Sequence, residues 1–200
     1  ESPAEAPEPV EGEVPEQGLK ILEAVGQGKG AFTSQIYTDI KLSGKSFERH
    51  AKKLMELGLL GMRKGKIGRN VLHFFFLTDK GEGIFDQHFE FKARLVEKDV
   101  SEVVGMLEDS GWVFDKEGKR LIFEQNNKKL VLVIENSFDR KKIEGDLRET
   151  PYFIAVSEGV RNLLLQEAAK RAYKKGPLTV YVAAPETFAK SAKFERIDFA

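Results

Sequence analysis

The stretch 33–85 constrains the fold more than any other part of this 200-residue chain, because helical and strand patterns follow one another there without a long linker. Apolar residues recur at helical spacing over 34–40 and again over 43–57, where Ser43 can cap the second helix and Gly58 can end it. An aromatic run, 71–77, follows a segment rich in lysine and glycine. This order predicts two short helices joined by a turn, then a hairpin and a closing helix.

Two groups of basic residues lie at separate places in this stretch. The second predicted helix keeps its apolar residues on one stripe, so its lysines and arginine are expected on the exposed side. The predicted hairpin tip, 64–70, carries further cations, with Gly65 and Gly68 expected to give flexibility. A helix fits the major groove of DNA, and a basic tip suits phosphates. The candidate DNA-binding residues are Lys45, Ser46, Arg49, Lys52, Lys53, Arg63, Lys64, Lys66 and Arg69.

The run SGKSFERHAKKLMELGLLGMRKGK, followed by FFFLTDKGEGIF, resembles the winged helix-turn-helix domains of the MarR and ArsR regulator families. The resemblance covers residues 18–86 and implies a recognition helix that leads into a wing. It implies groove-reading positions for Lys45, Ser46 and Arg49, and wing positions for the basic residues of the hairpin. The long N-terminal dimerisation helix of MarR proteins and the Cys or His metal sensor of many ArsR proteins are not evident, so ligand sensing and the usual dimer are not implied.

Charge is distributed in blocks, although the formal net charge is zero. Residues 1–18 carry six glutamates and no lysine or arginine, and we expect 1–17 to be a disordered acidic linker rich in proline and glutamate. Residues 41–80 carry ten lysines or arginines against three acidic residues, which suits a surface for an acidic partner. The linker favours the hypothesis that the chain belongs to a longer protein, such as a translocase, replication or mobile-element factor.

The composition of the chain excludes several classes of protein and of binding site. The chain has no cysteine, which excludes disulfides and thiolate metal sites, and its three histidines are scattered. No apolar run is long enough for a membrane span, so a cytoplasmic location is expected. Charged residues make up 32 % of the chain, a composition typical of thermophile proteins.

Residues 87–200 predict a mixed α/β domain. We expect a strand at 89–95, a helix capped by Asp99, strands at 112–114, 121–125 and 130–134, and partial helix over 137–150. A strand at 152–156, a helix capped by Ser157 and a last strand at 178–183 follow. The outer side of that helix could extend the basic surface through Arg161, Lys170, Lys174 and Lys175.

The order of these elements weakly resembles the restriction-endonuclease-like fold, which implies acidic metal ligands on neighbouring strands and a nearby lysine. Glu124 and Glu135 are the candidate ligands, but Asn136 and Ser137 stand where the family motif continues to its lysine. A catalytically degenerate relative of that fold is therefore expected more than a metal-dependent nuclease. No cofactor and no catalytic residue are predicted.

The sequence thus predicts an α+β fold, with an N-terminal winged helix-turn-helix at 18–86 followed by a mixed α/β domain at 87–200. The predicted function is binding of double-stranded DNA, either as a self-contained protein or as the DNA-binding region of a larger nucleic-acid-handling protein. The alternatives are a metal-dependent nuclease and a protein-docking module that holds its partner through Phe75 or the helix at 157–175. Other domains of a longer parent chain are expected partners, a homodimer is left open, and no membrane contact is expected.

Overall fold

The computed structural model describes residues 14–90 and 100–200. Within these ranges eight helices surround one mixed eight-stranded sheet, which confirms the α+β prediction at this coarse level. No helix in these ranges combines the length and apolar character that a membrane span needs. In chain order the elements are α1 (Glu16–Gly26), α2 (Thr33–Ile40), α3 (Gly44–Glu56), β1 (Leu60–Ile67), β2 (Asn70–Leu77), α4 (Asp79–His88), α5 (Val100–Asp109), β3 (Asp115–Glu117), β4 (Arg120–Gln125), β5 (Lys128–Glu135), α6 (Arg140–Glu149), β6 (Tyr152–Ala155), α7 (Glu158–Lys175), β7 (Leu178–Ala183), α8 (Pro185–Ser191) and β8 (Glu195–Phe199).

The strands lie in the order β2-β1-β8-β7-β6-β5-β4-β3. Strand β6 is parallel to both of its neighbours, β5 and β7, and all the other pairings are antiparallel. Strand β8 lies between β1 and β7, where Lys66 is opposite Asp198 and Val180 is opposite Ile197. The hairpin β1–β2 and the later strands therefore share one sheet across the predicted domain boundary.

The hairpin contributes to two apolar clusters, one on each face of the sheet. On one face, here called the α3 face, Phe75 packs edge-on against Phe47 of α3, with 5.5 Å between ring centroids. On the opposite face, here called the α7 face, Phe74 and Phe76 pack with Phe199 and the long helix α7. Successive residues of a strand point to opposite faces, so β2 serves both clusters. Removal of this apolar surface from water is the main stabilising contribution.

Polar side chains of α7 fix that helix to the loop that follows α1. The amide Nδ2 of Asn162 donates to the carbonyl oxygen of Gly28 at 2.9 Å, and Nε2 of Gln166 donates to that of Gly30 at 2.7 Å. Gly28 has φ +70°, a left-handed conformation that glycine adopts at little cost. These buried, directed bonds hold the loop, and with it the end of α1, in one position against α7.

Several local predictions are confirmed because they depend on neighbouring residues alone. The hydroxyl oxygen of Ser43 accepts from the backbone N–H of Ser46 and caps α3, and Gly58 beyond its end has φ +71°. Ser157 caps α7, which ends at Lys175 as predicted.

Other boundaries were wrong. Helix α2 begins at Thr33, one residue before the predicted start at 34, with Phe32 at the cap position and no side-chain cap bond. The predicted hairpin tip at 64–70 is a two-residue turn, 68–69, because β1 continues to Ile67 and β2 begins one residue early, at Asn70. The strand predicted at 112–114 lies at β3, while α8 and β8 were not predicted. Residues 1–13 of the linker predicted at 1–17, most of the strand at 89–95 and the cap at Asp99 lie outside the described residues. The last part of that linker was wrong, because α1 already begins at Glu16.

Candidate nucleic-acid interface

Helix α3 presents one buried side and one basic side. Its buried side consists of Phe47, Ala51 and Leu54, which pack into the cluster beneath it. On the exposed side are Lys45, Arg49, Lys52 and Lys53, and Ser46 is half-buried in the first turn. Within the described part of the chain none of these four basic side chains forms an ion pair. Their charge is therefore free to meet an external anion.

The hairpin divides its basic residues between the two faces of the sheet. Lys64 and Lys66 alternate with buried Gly65, so they lie on the α3 face, and both are exposed. Arg63 lies opposite Phe74 and belongs to the α7 face, where its Nε is buried without a hydrogen-bond partner. Arg69 is exposed in the turn. The structure thus places Lys64 and Lys66 on the same face of the sheet as α3, and Arg63 on the other face.

The two glycines of the hairpin have different functions. Gly68 has φ +58° at the first position of the two-residue turn, where a tight hairpin needs a glycine. Gly65 lies in regular strand, and a Cβ added there would be 2.5 Å from Cε2 of Phe74. The prediction that Gly65 gives flexibility is wrong, because its missing side chain makes room for an aromatic ring. The hairpin is a packed part of the sheet.

Strand β8 extends the α3 face beside the hairpin. Arg196 and Asp198 lie on this face, and Asp198 is opposite Lys66. The hydroxyl of Thr179 and, to a smaller extent, the guanidinium of Arg196 donate hydrogen bonds to Asp198. These bonds keep the pKa of Asp198 below its usual value, so this carboxylate stays charged next to Lys66. The backbone N–H of Ala200 also donates to the carbonyl oxygen of Lys64 at 3.2 Å. The alternation in ERIDF was the sequence signal that could have indicated this strand.

A groove of about 450 Å³ lies along the outer side of α3. Arg49, His50, Lys52 and Lys53 form its basic part, and Glu56 and Pro15 complete its lining. Pro15 directly precedes α1, so the chain enters the described structure at this groove. The most basic part of α3 therefore adjoins the start of the first helix.

The two candidate nuclease carboxylates are not brought together. Strands β4 and β5 form an antiparallel hairpin in which Glu124 is opposite Lys129, next to the turn, whereas Glu135 is the last residue of β5, at the far end. Two carboxylates at opposite ends of a hairpin cannot share one metal ion, so this expectation was wrong. The described residues contain no group of three or more carboxylates or histidines placed to hold a metal.

Glu135 is instead enclosed in a polar cluster. Its side chain is fully buried, and Nζ of Lys119 lies 3.4 Å from its Oε1 and also bonds Asp146 of α6. The backbone N–H of Ser137 donates to the same Oε1 at 3.1 Å, while Oε2 has no partner. Burial, with Asp146 nearby, raises the pKa of Glu135 to about 7. One lysine thus serves two carboxyl groups that compete for its charge.

We expect Glu135→Gln to raise the free energy of unfolding by about 2 kcal/mol at pH 8 and by much less at pH 5. The folded-state pKa lies above the ordinary value of 4.5, so the folded chain keeps a proton that the unfolded chain releases. Stability is therefore lost as pH rises from about 4.5 to about 7. Glutamine imitates the protonated form and removes this loss. Urea denaturation at both pH values measures it, with exposed Glu124→Gln as the control; an equal change at both pH values contradicts the prediction.

Two further predicted surfaces are not accessible. Phe75, expected as a docking residue, is only 4 % exposed, and α7 is buried along most of its length. Lys170, expected on the outer side of α7, is buried, and its Nζ bonds Asp79 at 2.8 Å and Glu82 at 3.1 Å. The prediction that Lys170 faces solvent is wrong, because its acidic partners lie far away in the chain. Phe75 is therefore not available for docking, and the exposed side chains near the end of α7 are Tyr173, Lys174 and Lys175.

Comparisons of the chain with models of protein families, with curated proteins and with solved structures found no match. The candidate interface therefore rests on its geometry. We call Lys45, Arg49, Lys52, Lys53, Lys64 and Lys66 the basic surface. Its members are exposed and lie on one helix and one strand on the same side of the sheet. Such an arrangement can contact several phosphates at once.

Proposed function

We propose that this protein binds double-stranded DNA through the basic surface, with α3 in the major groove. The observation that carries the proposal is the set of four basic side chains on the exposed side of α3, all without an ion-pair partner among the described residues. Surface lysines and arginines that neutralise DNA phosphates displace the cations condensed on the DNA, and the release of these counterions drives binding.

The dimensions of α3 suit this role. Its thirteen residues make a helix about 20 Å long, and the major groove admits a helix of ordinary diameter. Lys45, Ser46 and Arg49 lie in the first half, where helices of this kind contact base edges. Lys52 and Lys53 follow in the second half, at positions suited to flanking phosphates. Lys64 and Lys66 of β1 extend the contact to a neighbouring strand of DNA backbone.

The resemblance stated from the sequence supports the same proposal. Helices α1 to α3 followed by the hairpin β1–β2 have the element order of a winged helix, and we propose that they are one. In the second half, α5, the three strands β3 to β5, α6 and β6 follow the order expected for a restriction-endonuclease-like core. The enclosed ion pair of Lys119 with Asp146 favours a catalytically silent relative of that fold. The function of this half of the chain is then to support and position the DNA-binding part.

We expect the double substitution Arg49→Ala and Lys52→Ala to weaken binding to duplex DNA by about 2 kcal/mol, roughly 30-fold, at low salt. Each lost phosphate contact should also lower the slope of log affinity against log salt by about 1. Fluorescence anisotropy on a labelled duplex over a salt series measures both effects. The melting temperature should not change, because both side chains are exposed.

The matched control is Lys141→Ala with Lys142→Ala. These lysines are exposed on α6, which packs with α7 on the opposite side of the sheet from α3, and their loss changes the net charge by the same amount. The control should retain most of the affinity. Equal weakening by both pairs would mean that net charge alone controls binding, and the assignment of α3 as the contact helix would then be wrong.

A further inference from the structure

The groove beside α3 lies next to the segment of the chain that precedes α1. Pro15 lines this groove together with Arg49, Lys52 and Lys53, and residues 1–13 precede Val14 and Pro15 in the chain. Val14 packs against the cluster below α3, and a Cβ added at Gly18 would be 3.2 Å from Cγ1 of Val14. The point of entry is thereby fixed next to the basic side of the helix.

The sequence of this segment is complementary to the groove in charge. Residues 1–13 contain five glutamates and no lysine or arginine. Thirteen residues can span up to about 45 Å, whereas α3 is about 20 Å long, so the segment can reach from Pro15 past Lys45 at the start of the helix. A tether this short also keeps its carboxylates at a high effective concentration near the lysines of α3.

We propose that residues 1–13 bind along the groove lined by Arg49, Lys52 and Lys53 and compete there with nucleic acid. The inference rests on the proposed function for its consequence, since an acidic segment on α3 occupies the positions of DNA phosphates. The apparent affinity for DNA is then reduced by the fraction of chains in which the groove is open. Salt weakens both the segment contact and the DNA contact, because both are electrostatic.

The experiment uses three forms of the full chain: the unaltered segment, a variant with Glu1, Glu5, Glu8, Glu11 and Glu13 changed to Gln, and a variant with the same five changed to Asp. The Asp variant keeps the charge and serves as the control. Because the chain has no cysteine, Ala6→Cys introduces one site for a nitroxide label in each form. Paramagnetic broadening of backbone amide signals in NMR then locates the segment, and fluorescence anisotropy gives the affinity for duplex DNA.

We expect the label to broaden the amides of 45–53 more than those of α6 in the unaltered and Asp forms, and this difference to disappear in the Gln form. Duplex affinity should rise about tenfold in the Gln form only, as for a groove that is closed nine-tenths of the time. Broadening of 45–53 no greater than that of α6, or broadening that persists in the Gln form, overturns the proposal. A rise in affinity without selective broadening also overturns it, because long-range repulsion then suffices.

Two further outcomes separate this inference from neighbouring ones. Selective broadening in chains that bind no duplex in any form would refute the proposed DNA-binding function and leave the segment contact established. Mixing nitroxide-labelled chains with isotope-labelled chains that lack the nitroxide tests for a second copy as the occupant. Broadening of 45–53 in that mixture, at the strength seen within one chain, would overturn the assignment to the chain's own segment.

Discussion

Replacing Arg140 with alanine is expected to lower the free energy of unfolding by about 4 kcal/mol at pH 8, one of the two largest effects we predict. Its guanidinium lies between α1 and α7: Nη1 donates to Oε1 of Glu167 at 3.2 Å, and Nη2 donates to the carbonyl oxygens of Val25 and Gly26 at 3.3 and 3.2 Å. Glu167 is 5 % exposed, so its carboxylate would remain buried without its main counter-charge. The carbonyl oxygens of Val25 and Gly26 would also lose the guanidinium as a donor, and among the described residues Val25 would keep only the backbone N–H of Gly28.

The pH dependence identifies the cause of this loss. Burial already holds the pKa of Glu167 above its usual value, and the charge of Arg140 opposes that shift. Without Arg140 the pKa rises further, the folded form takes up a proton more readily, and stability is lost as pH rises. The cost of Arg140→Ala should therefore be smaller at pH 5 than at pH 8 in urea denaturation.

Arg148→Ala is the control for this prediction, because Arg148 lies on the same helix and pairs with Glu144 at 2.9 Å, but on the exposed side. That pair should contribute only about 0.5 kcal/mol. Similar losses for the two arginines, or a cost of Arg140→Ala that does not depend on pH, would contradict the account given for the buried pair.

Replacing Gly81 with alanine is expected to cost about 3 kcal/mol or more, because a Cβ at this position would lie 1.9 Å from the carbonyl oxygen of Leu59. The position of a Cβ is fixed by the backbone, and the atom that it would meet is a backbone oxygen. No side-chain rotation can therefore relieve this contact. Thr78 strengthens the same junction, since its backbone N–H donates to Leu59 at 3.2 Å and its hydroxyl donates to the carbonyl oxygen of Gly58 at 2.6 Å. The start of α4 is thus seated directly on the beginning of the hairpin.

Gly83 provides the matched control in the same helix. A Cβ at Gly83 meets nothing within 4 Å, and alanine favours helix over glycine by up to about 1 kcal/mol. Gly83→Ala should therefore be neutral or stabilising, while Gly81→Ala lowers the midpoint of urea denaturation sharply. A midpoint for Gly81→Ala within the range of Gly83→Ala would show that α4 can move away from Leu59.

The elements that could be predicted from sequence are those whose cause is local. Helix α3 follows from its apolar stripe and the cap at Ser43, and β7 follows from an apolar run bounded by Pro177 and Ala184. The candidate site was predictable to the same extent, because exposure of Lys45 and Arg49 depends only on the period of their own helix. Lys64 and Lys66 are exposed as predicted, although they lie in β1 and not in the hairpin tip.

The errors concern residues whose environment is set by distant parts of the chain. Lys170 is an ordinary solvent-facing lysine by local pattern, and only the packing of α4 against α7 gives it Asp79 and Glu82. Gly65 is indistinguishable in sequence from a turn glycine, since the ring that needs its space is on another strand. The separation of Glu124 and Glu135, in contrast, has a local cause. The turn at 126–127 implies an antiparallel pair of strands, with these two residues at opposite ends.

The position of β8 between β1 and β7 has a consequence for how the chain acquires its structure. Lys66 and Asp198 are direct neighbours in the sheet although 132 positions separate them along the chain. Contacts of such long range close large loops and slow the rate at which a domain folds. Until β8 arrives, the edge of β1 is open and can pair with a foreign strand. During synthesis the hairpin next to α3 is made well before β8, so β1 gains its second neighbouring strand late.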